Sequence, residues 1–163
     1  MYLSLGSNLG DRQAHLQTAI RKLMNLGDVI TVSSIYETEP IDYREQPWFL
    51  NCVVLLRTEL LPRLFLERIL AIEQEMGRKR TQPKGPRPID IDILLFGSAT
   101  IKTPELVVPH PAMHERRFVL APLAEIAPDA CHPVMKVTAR KLLEALPHDG
   151  AKVKKLRASQ RNY

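Results

Sequence analysis

The pattern of residues 89–93 constrains the fold of this chain more than any other feature. Ile89, Ile91 and Ile93 alternate strictly with Asp90 and Asp92, which is the period of a β-strand with one buried face. On such a strand the isoleucines share one face, and the two aspartates share the other, about 6–7 Å apart. The pattern therefore predicts a sheet that packs one face against a core and presents two acids on the opposite face.

The segments before this strand predict the element order β-α-β-β-α-β. Asp11 is suited to N-cap the first helix, Pro62 to begin the second, and Gly27 and Gly77 to end them. The apolar positions at helical spacing are Leu16, Ile20, Leu23 and Met24 in the first helix, and Leu66, Ile69, Leu70 and Met76 in the second. The four predicted strands cover residues 2–5, 29–36, 49–57 and 89–96.

This order is typical of a mixed α/β protein, in the α+β class, with a ferredoxin-like βαββαβ core. Further helices are predicted over residues 115–121 and 138–146, so we expect additional C-terminal strands and helices beyond the core. A chain of 163 residues suits one domain, 1–163. Its basic end, 151–163, is expected to be a flexible tail because chain ends are often poorly ordered.

Composition narrows the class of protein. The formal net charge is +5, which favours an anionic partner: nucleic acid, a membrane surface or a phosphorylated small molecule. No apolar run is long enough for a transmembrane helix, and the first residues do not resemble a secretory leader. Cys52 and Cys131 have no metal-site or disulfide-framework spacing. We therefore expect a cytoplasmic protein.

The acidic pair and the basic loop before it carry the strongest chemical signal. Two carboxylates at this spacing can hold one or two Mg²⁺ ions together with phosphate oxygens and water. Arg78, Arg80 and Arg87 flank the pair, and arginines that clamp phosphates are the other half of a phosphoryl-transfer site. A solvated acidic face and a solvated basic loop also fit the pattern. Repulsion between the acids costs only about 0.7 kcal/mol in water, so energy does not exclude that alternative.

The remaining motifs are weaker. No G-x-x-x-x-G-K-[ST] or kinase-type glycine loop occurs. His110 and His114 are four residues apart, but Pro111 opposes the helix that a zinc pair would need. Phe49 and Phe118 could stack a flat heterocycle whose edge Asn51 reads, or they could pack in the core.

Taken together, the segments LSLGSNLGDR, SSIYETEP, QPWFLN, GRKR, GPRPIDIDILLFG and VPHPAMHERRFVLAPLAEIAP resemble the 6-hydroxymethyl-7,8-dihydropterin pyrophosphokinase family over nearly the whole chain. The resemblance implies an α/β fold with a ferredoxin-like core. It also implies transfer of pyrophosphate from ATP to the hydroxymethyl group of a reduced pterin, with release of AMP, in folate biosynthesis.

The resemblance further implies roles for individual residues. Asp90 and Asp92 match the acids that hold two Mg²⁺ ions, and Arg78 and Arg87 match the catalytic arginines of mobile loops. Residues that match nucleotide contacts are Glu73, Arg80, Arg87, Ile93, His110 and Arg116. Residues that match pterin contacts are Thr38, Ile41, Phe49, Asn51, Asp90 and Phe118.

Two departures from the family pattern affect these expectations. The loop between Gly77 and Gly85 is shorter than in some members, and Lys84 stands where some carry tryptophan. These two departures put any aromatic lid over the nucleotide in doubt. Phe49 stands where some members have tyrosine, which removes a hydroxyl but keeps the stacking face.

Two other classes of protein remain as alternatives. A small RNA-binding module would need aromatics within a K/R-G-F/Y-G/A-F-V motif, which the chain lacks. A non-catalytic sensor of ATP or pterin could use the same pocket without forming AMP. We expect an enzyme that acts as a monomer on ATP and a reduced pterin, without nucleic acid or membrane partners.

Overall fold

The computed structural model describes residues 1–79 and 83–156, and within them an antiparallel sheet has helices on both faces. The strands are β1 (Tyr2–Ser7), β2 (Asp28–Val32), β3 (Tyr36–Thr38), β4 (Phe49–Arg57), β5 (Asp90–Leu95), β6 (Ile101–Lys102), β7 (Val107–Val108) and β8 (Val153–Lys155). The helices are α1 (Arg12–Leu23), α2 (Pro62–Glu75), α3 (Arg117–Ile126) and α4 (Ala139–Glu144).

The sheet order is β5-β1-β4-β3-β8, with β2 beside the second half of β4, and β6 and β7 form a separate pair. Both neighbours of β1 run antiparallel to it. When β2 and β3 are taken as one interrupted strand, the first five strands have the predicted ferredoxin-like order. The α+β fold class is confirmed, as are the additional strands and helices towards the C-terminus.

The predicted strand over residues 29–36 is interrupted. Ser33 takes the place of a ladder residue, because its backbone N–H donates to the Val53 carbonyl and its Oγ accepts from the Val53 N–H. The Ser34 N–H and hydroxyl both donate to Glu125 of α3, at 2.9 and 2.8 Å. Side-chain hydrogen bonds of this kind compete with regular pairing, and they turn the chain from β2 to β3.

Two apolar cores lie on opposite faces of the sheet. The first packs α1 and α2 against strand residues such as Leu3, Leu5 and Ile91. The second packs α3 and α4 against Val53 and Leu94. Because side chains alternate between the faces of a strand, the isoleucines of β5 enter the first core and the aspartates between them face away from it.

The helices begin as predicted but bury partly different residues. Asp11 caps α1 by accepting the Ala14 N–H at 3.0 Å, and Pro62 begins α2. Met24 is 45% exposed because it follows the last residue of α1, and Leu70 is 42% exposed on the outer face of α2. Phe65 and Ile72 are buried in α2, so the apolar face of this helix is rotated from the predicted one.

The C-terminal segment differs from the expected flexible tail. Val153–Lys155 form β8, which pairs antiparallel with Tyr36–Thr38 of β3. The Lys152 N–H also donates to the Glu39 carboxylate at 3.0 Å. Residues 157–163, the rest of the predicted tail, lie outside the described residues.

Neither cysteine is bonded to another, since Cys52 and Cys131 are both free thiols, the first buried and the second exposed. Within the described part of the chain, no helix is long and apolar enough to cross a membrane.

Gly27 is required by a close backbone approach. A Cβ at this position would overlap the Arg57 carbonyl oxygen and lie 3.1 Å from the Thr58 Cα. We expect Gly27→Ala to lower the free energy of unfolding by about 1–3 kcal/mol, because both clashing groups are backbone and must move. Thermal and urea denaturation measure this loss. Gly150→Ala is the matched control, since nothing lies within 4 Å of its Cβ position. Equal stability of the two variants would contradict the packing described.

Candidate active site

A cleft of about 450 Å³ lies on the sheet face that carries the aspartates. The register places Gly6 of β1 between Asp90 of β5 and Asn51 of β4, and Ser4 between Asp92 and Val53. Small residues on the central strand leave space above the sheet at this point. Since α3 and α4 cover Val53 and Leu94 on the same face, the cleft occupies the part of the face that these helices leave uncovered.

Most of the predicted site residues line this one cleft. The residues brought together are Arg78, Arg87, Asp90, Asp92, His110 and Arg116 of the polar set, and Thr38, Ile41, Phe49, Asn51 and Phe118 of the predicted pterin set. They come from three strands, from helix α3 and from three connecting segments, so the tertiary fold, and not local sequence, assembles them.

Two predicted nucleotide contacts, Ile93 and Glu73, do not line the cleft. Ile93 is 5% exposed and belongs to the first core, on the opposite face from Asp90 and Asp92, because it alternates with them along β5. It does not line the cleft. Glu73 is also buried and lies behind the cleft, where it accepts the Ile91 N–H at 2.8 Å. Arg80 lies outside the described residues.

Asp90 is held by two guanidinium groups. Arg78 Nη1 lies 2.6 Å from Asp90 Oδ1 and 3.1 Å from Glu73 Oε2, and Arg87 Nη2 lies 3.1 Å from Asp90 Oδ2. Burial opposes the charge of Asp90, but these two arginines outweigh it and lower its pKa below the ordinary value. Asp90 is therefore a stable anion that keeps both arginines in the cleft.

Asp92 has the opposite electrostatics. Among the described residues it has no ion pair of this kind, and burial and the neighbouring Asp90 charge raise its pKa to about 7. Two half-buried carboxylates that repel each other are a site where a divalent cation is favourable. No cluster of three or more His, Cys, Asp or Glu suited to a metal occurs within the described ranges. The pair therefore fits a hard cation, such as Mg²⁺, that takes its other oxygen ligands from substrate and water.

His110 is neutral at physiological pH. Its Nδ1 accepts the Ala112 N–H at 3.1 Å, and burial together with the Arg116 charge lowers its pKa to about 4. In a neutral ring whose Nδ1 accepts a hydrogen bond, Nε2 carries the proton. His110 and Arg116 thus both offer hydrogen-bond donors at the rim of the cleft.

Two aromatic rings and one amide line the part of the cleft near β4. Phe49 carries the Arg87 guanidinium 4.8 Å above its ring, and Arg116 lies 5.6 Å from the centre of the Phe118 ring. The Asn51 amide donates to Thr38 Oγ1, and its Oδ1 would lie 2.6 Å from a Cβ at Gly6. Gly6 therefore gives the Asn51 amide its place in the cleft.

Asn8 and Gln46 are two further polar residues near the cleft, and no sequence motif indicates a role for them. Asn8 is 2% exposed and hydrogen-bonds both Gln46 and the backbone of Arg87. In the sequence, Asn8 is an asparagine in a glycine-flanked turn, and Gln46 is a glutamine before a proline. Neither feature shows which distant loops the two side chains connect.

A neighbouring contact links the same loops at their exposed ends. Lys84 Nζ lies 3.3 Å from Asp42 Oδ1. Lys84 is the residue at which the resemblance gave tryptophan in some family members. The two loops therefore meet here through charged groups.

Arginines around a carboxylate pair, in a cleft that two phenylalanine rings also line, define a class of site suited to a polyphosphate next to a flat ring. Comparison with known proteins gives the particular family. Residues 2–128 match the family model described as 7,8-dihydro-6-hydroxymethylpterin-pyrophosphokinase. The chain belongs to this family.

Curated relatives agree with this assignment. A Bacillus subtilis 2-amino-4-hydroxy-6-hydroxymethyldihydropteridine pyrophosphokinase is 51% identical over 127 residues, covering 77% of this chain and 76% of that protein. The folic acid synthesis protein FOL1 of Dictyostelium discoideum is 42% identical over 92% of this chain. The chain spans 23% of the length of that longer relative.

The fold is also found in solved structures. A Plasmodium falciparum HPPK-DHPS wild-type structure with pterin and p-hydroxybenzoate matches 88% of this chain and 42% of its own chain. The TM-score is 0.69 at 20% sequence identity. This likeness shows the fold.

The two aspartates should affect stability in opposite directions. Burial and the Asp90 charge raise the pKa of Asp92 from the ordinary 3.8 to about 7, so ionisation of Asp92 destabilises the fold as pH rises through this window. We expect Asp92→Asn to be more stable than wild type by about 1–3 kcal/mol at pH 8 and equal to it near pH 4. Urea denaturation in the presence of a chelator, repeated across this pH range, measures the difference.

Asp90→Asn is the matched comparison. Its carboxylate is stabilised in the fold by Arg78 and Arg87, so this substitution should destabilise the protein by about 2 kcal/mol at pH 7. The loss should shrink as pH falls below the ordinary carboxyl pKa, because the unfolded chain then takes up a proton at Asp90 that the folded chain does not, and it should vanish below the lowered pKa of the folded state. Effects of the same sign at both positions would contradict this electrostatic description.

Proposed function

We propose that this chain transfers the pyrophosphoryl group of ATP to the hydroxymethyl group of 6-hydroxymethyl-7,8-dihydropterin and releases AMP, as a step of folate biosynthesis. One observation carries the proposal. A carboxylate pair and two arginines lie in the same cleft as two aromatic rings and an amide. Family membership supplies the substrate class, and the chemistry of the cleft suits both substrates.

The acidic end of the cleft is suited to the triphosphate. Asp90 and Asp92 would hold Mg²⁺, two ions by family resemblance, which when bound would shield phosphate charge and lower the pKa of the attacking alcohol. Arg78 and Arg87 would leave Asp90 and contact phosphate oxygens, because a metal at the aspartates removes the negative charge that now holds them. His110 and Arg116 would donate hydrogen bonds to the nucleotide.

The aromatic end of the cleft is suited to the pterin. Phe49 and Phe118 would stack on the two faces of the ring system, as aromatic side chains do with flat heterocycles. Asn51 would pair with the polar edge of the ring, and its amide is already oriented by Thr38. Ile41, which also lines the cleft, would close the apolar side.

The reaction needs no protein nucleophile. The hydroxymethyl oxygen attacks the β-phosphorus of ATP in line, a new oxygen–phosphorus bond forms, and the bond from the β-phosphorus to the bridging α-phosphate oxygen breaks. AMP leaves with that oxygen. Asp90 would accept a hydrogen bond from the attacking hydroxyl, whose proton would pass to solvent as the oxygen–phosphorus bond forms. The arginines would stabilise charge on the transferred group.

A direct assay tests the proposal and separates it from the alternatives. The protein is mixed with ATP, Mg²⁺ and the reduced hydroxymethylpterin, and AMP and pterin pyrophosphate are measured with metal-free and pterin-free controls. Equimolar formation of both products is expected. Binding of ATP or pterin without AMP would identify a sensor, and salt-dependent binding to single-stranded RNA without AMP would favour an RNA-binding module.

Monomeric state and cytoplasmic location stay predictions.

Asp92→Ala should abolish turnover and leave the chain folded. The reason is that one of the two carboxylates proposed to hold the metal is removed, while its loss relieves repulsion with Asp90. AMP formation and thermal unfolding measured on the same preparation check both parts. Near-normal turnover of folded Asp92→Ala in Mg²⁺ would show that the metal assignment is wrong.

Arg87→Ala should lower kcat more than it weakens pterin binding, by about 100-fold or more in kcat, because its charge is proposed to act on the transferred group. Steady-state kinetics with varied pterin separate the two quantities. Arg63→Ala is the matched control, since the Arg63 side chain is 85% exposed and pairs only loosely with Glu67 at 3.7 Å. A change confined to pterin affinity would make Arg87 a binding residue.

A further inference from the structure

Three separate loops meet at one buried asparagine. Asn8 lies between β1 and α1, Gln46 lies between β3 and β4, and Arg87 lies between α2 and β5. Asn8 is 2% exposed, and it is 38 residues from Gln46 and 79 residues from Arg87 along the chain. A contact that joins such distant loops has no local function in turn formation.

The hydrogen bonds of Asn8 use both the oxygen and the nitrogen of its amide. Asn8 Nδ2 donates to Gln46 Oε1 at 2.8 Å and to the Pro47 carbonyl at 3.0 Å. Asn8 Oδ1 accepts the Arg87 N–H at 2.8 Å, and the Asn8 N–H donates to the Arg87 carbonyl at 3.2 Å. The Arg87 backbone is thus held on both sides by one residue.

Gln46 extends the connection. Its Nε2 donates to the Tyr43 carbonyl at 2.6 Å, within its own loop, and to the Lys84 carbonyl at 3.0 Å, in the loop that carries Arg87. We call this set of hydrogen bonds, made by the side chains of Asn8 and Gln46, the amide clasp. Arg12 holds the same segment from α1, because its Nη1 donates to the Trp48 carbonyl at 2.9 Å.

The clasp lies next to the groups proposed to carry the reaction. Arg87 is three residues from Asp90 and holds it, and Phe49 is three residues from Gln46. The Arg87 guanidinium and the Phe49 ring are also in contact. The clasp therefore connects two loops. One leads to Phe49, the ring proposed to stack on the pterin, and the other carries Arg87, an arginine proposed to bind phosphate.

We propose that Asn8 and Gln46 are positioning residues for pyrophosphoryl transfer, which hold Phe49 and Arg87 in the mutual geometry that the reaction needs. This inference rests on the proposed function. Neither residue is assigned a contact with the reacting atoms. Since a misplacement of about 1 Å can cost roughly 100-fold in rate, loss of the clasp should affect kcat more than substrate binding.

Three substitutions at Asn8 and Gln46 remove different hydrogen bonds of the amide clasp. Asn8→Ala removes all its side-chain hydrogen bonds, whereas Asn8→Asp keeps an oxygen for the Arg87 N–H and removes the donors to Gln46 and Pro47. Gln46→Ala, at a half-buried position, tests the clasp without altering Asn8. Asn25→Ala is the matched control, because Asn25 is exposed and lies at the far end of α1.

Kinetics give the first readout. Each single variant should lower kcat by about 10- to 100-fold and change either KM by less than about threefold. Asn8→Ala/Gln46→Ala should be no slower than the worse single variant, because both remove the same connection. Unchanged kcat with a lowered melting temperature, or rate losses that multiply, would overturn the positioning role and leave a structural one.

Trp48 gives a second readout that requires no activity. It is the only tryptophan of the chain, and it follows Pro47, whose carbonyl accepts from Asn8. In folded Asn8→Asp and Gln46→Ala, we expect acrylamide to quench Trp48 more strongly than in wild type and Asn25→Ala. If the wild type forms no AMP, the proposed function fails, and unchanged quenching in the variants would overturn the clasp separately.

Discussion

The charge balance around Asp90 is the interaction on which the rest of the site depends. A sheet face that is half covered by helices presents two carboxylates only 6–7 Å apart by strand geometry, and burial makes their charges costly. Arg78 and Arg87 offset this cost at Asp90 and Glu73 shares Arg78 from behind. The basic loop is therefore part of the folded structure of the cleft as well as a candidate phosphate clamp.

This balance also explains why the two aspartates differ. Asp90 has both arginines and stays ionised, whereas at Asp92 burial and the repulsion from Asp90 outweigh the charges of Arg116 and Arg78 and raise its pKa. A cation at the pair would make the arginines available, so the proposed metal binding and phosphate binding would be linked through the same ion pairs. Such a linkage would follow from Coulomb interactions between these four side chains.

The scaffold of the cleft was largely predictable from local patterns. The alternation over 89–93 correctly indicated which face of β5 is buried, and the capping residues Asp11 and Pro62 marked the two helix starts. Tertiary contacts explain the differences. Hydrogen bonds with Val53 and Glu125 interrupt the predicted strand at Ser33 and Ser34. Pairing with β3 makes a strand of Val153–Lys155. Ile93 is another residue that tertiary structure places. The family resemblance implied a nucleotide contact for it, but the alternation along β5 directs its side chain into the first core.

By itself, the sequence determined the order of the elements, the faces of β5, and the presence of acids, arginines and aromatic rings suited to a polyphosphate and a flat ring. Those properties depend on residues close together in the chain, where periodicity and capping act. Only the tertiary structure decided which arginines hold Asp90, that Gly6 makes room for Asn51, and that Asn8 joins the loops of Gln46 and Arg87. These contacts join residues up to 79 positions apart, so they depend on how strands pair and loops pack, which no local pattern records.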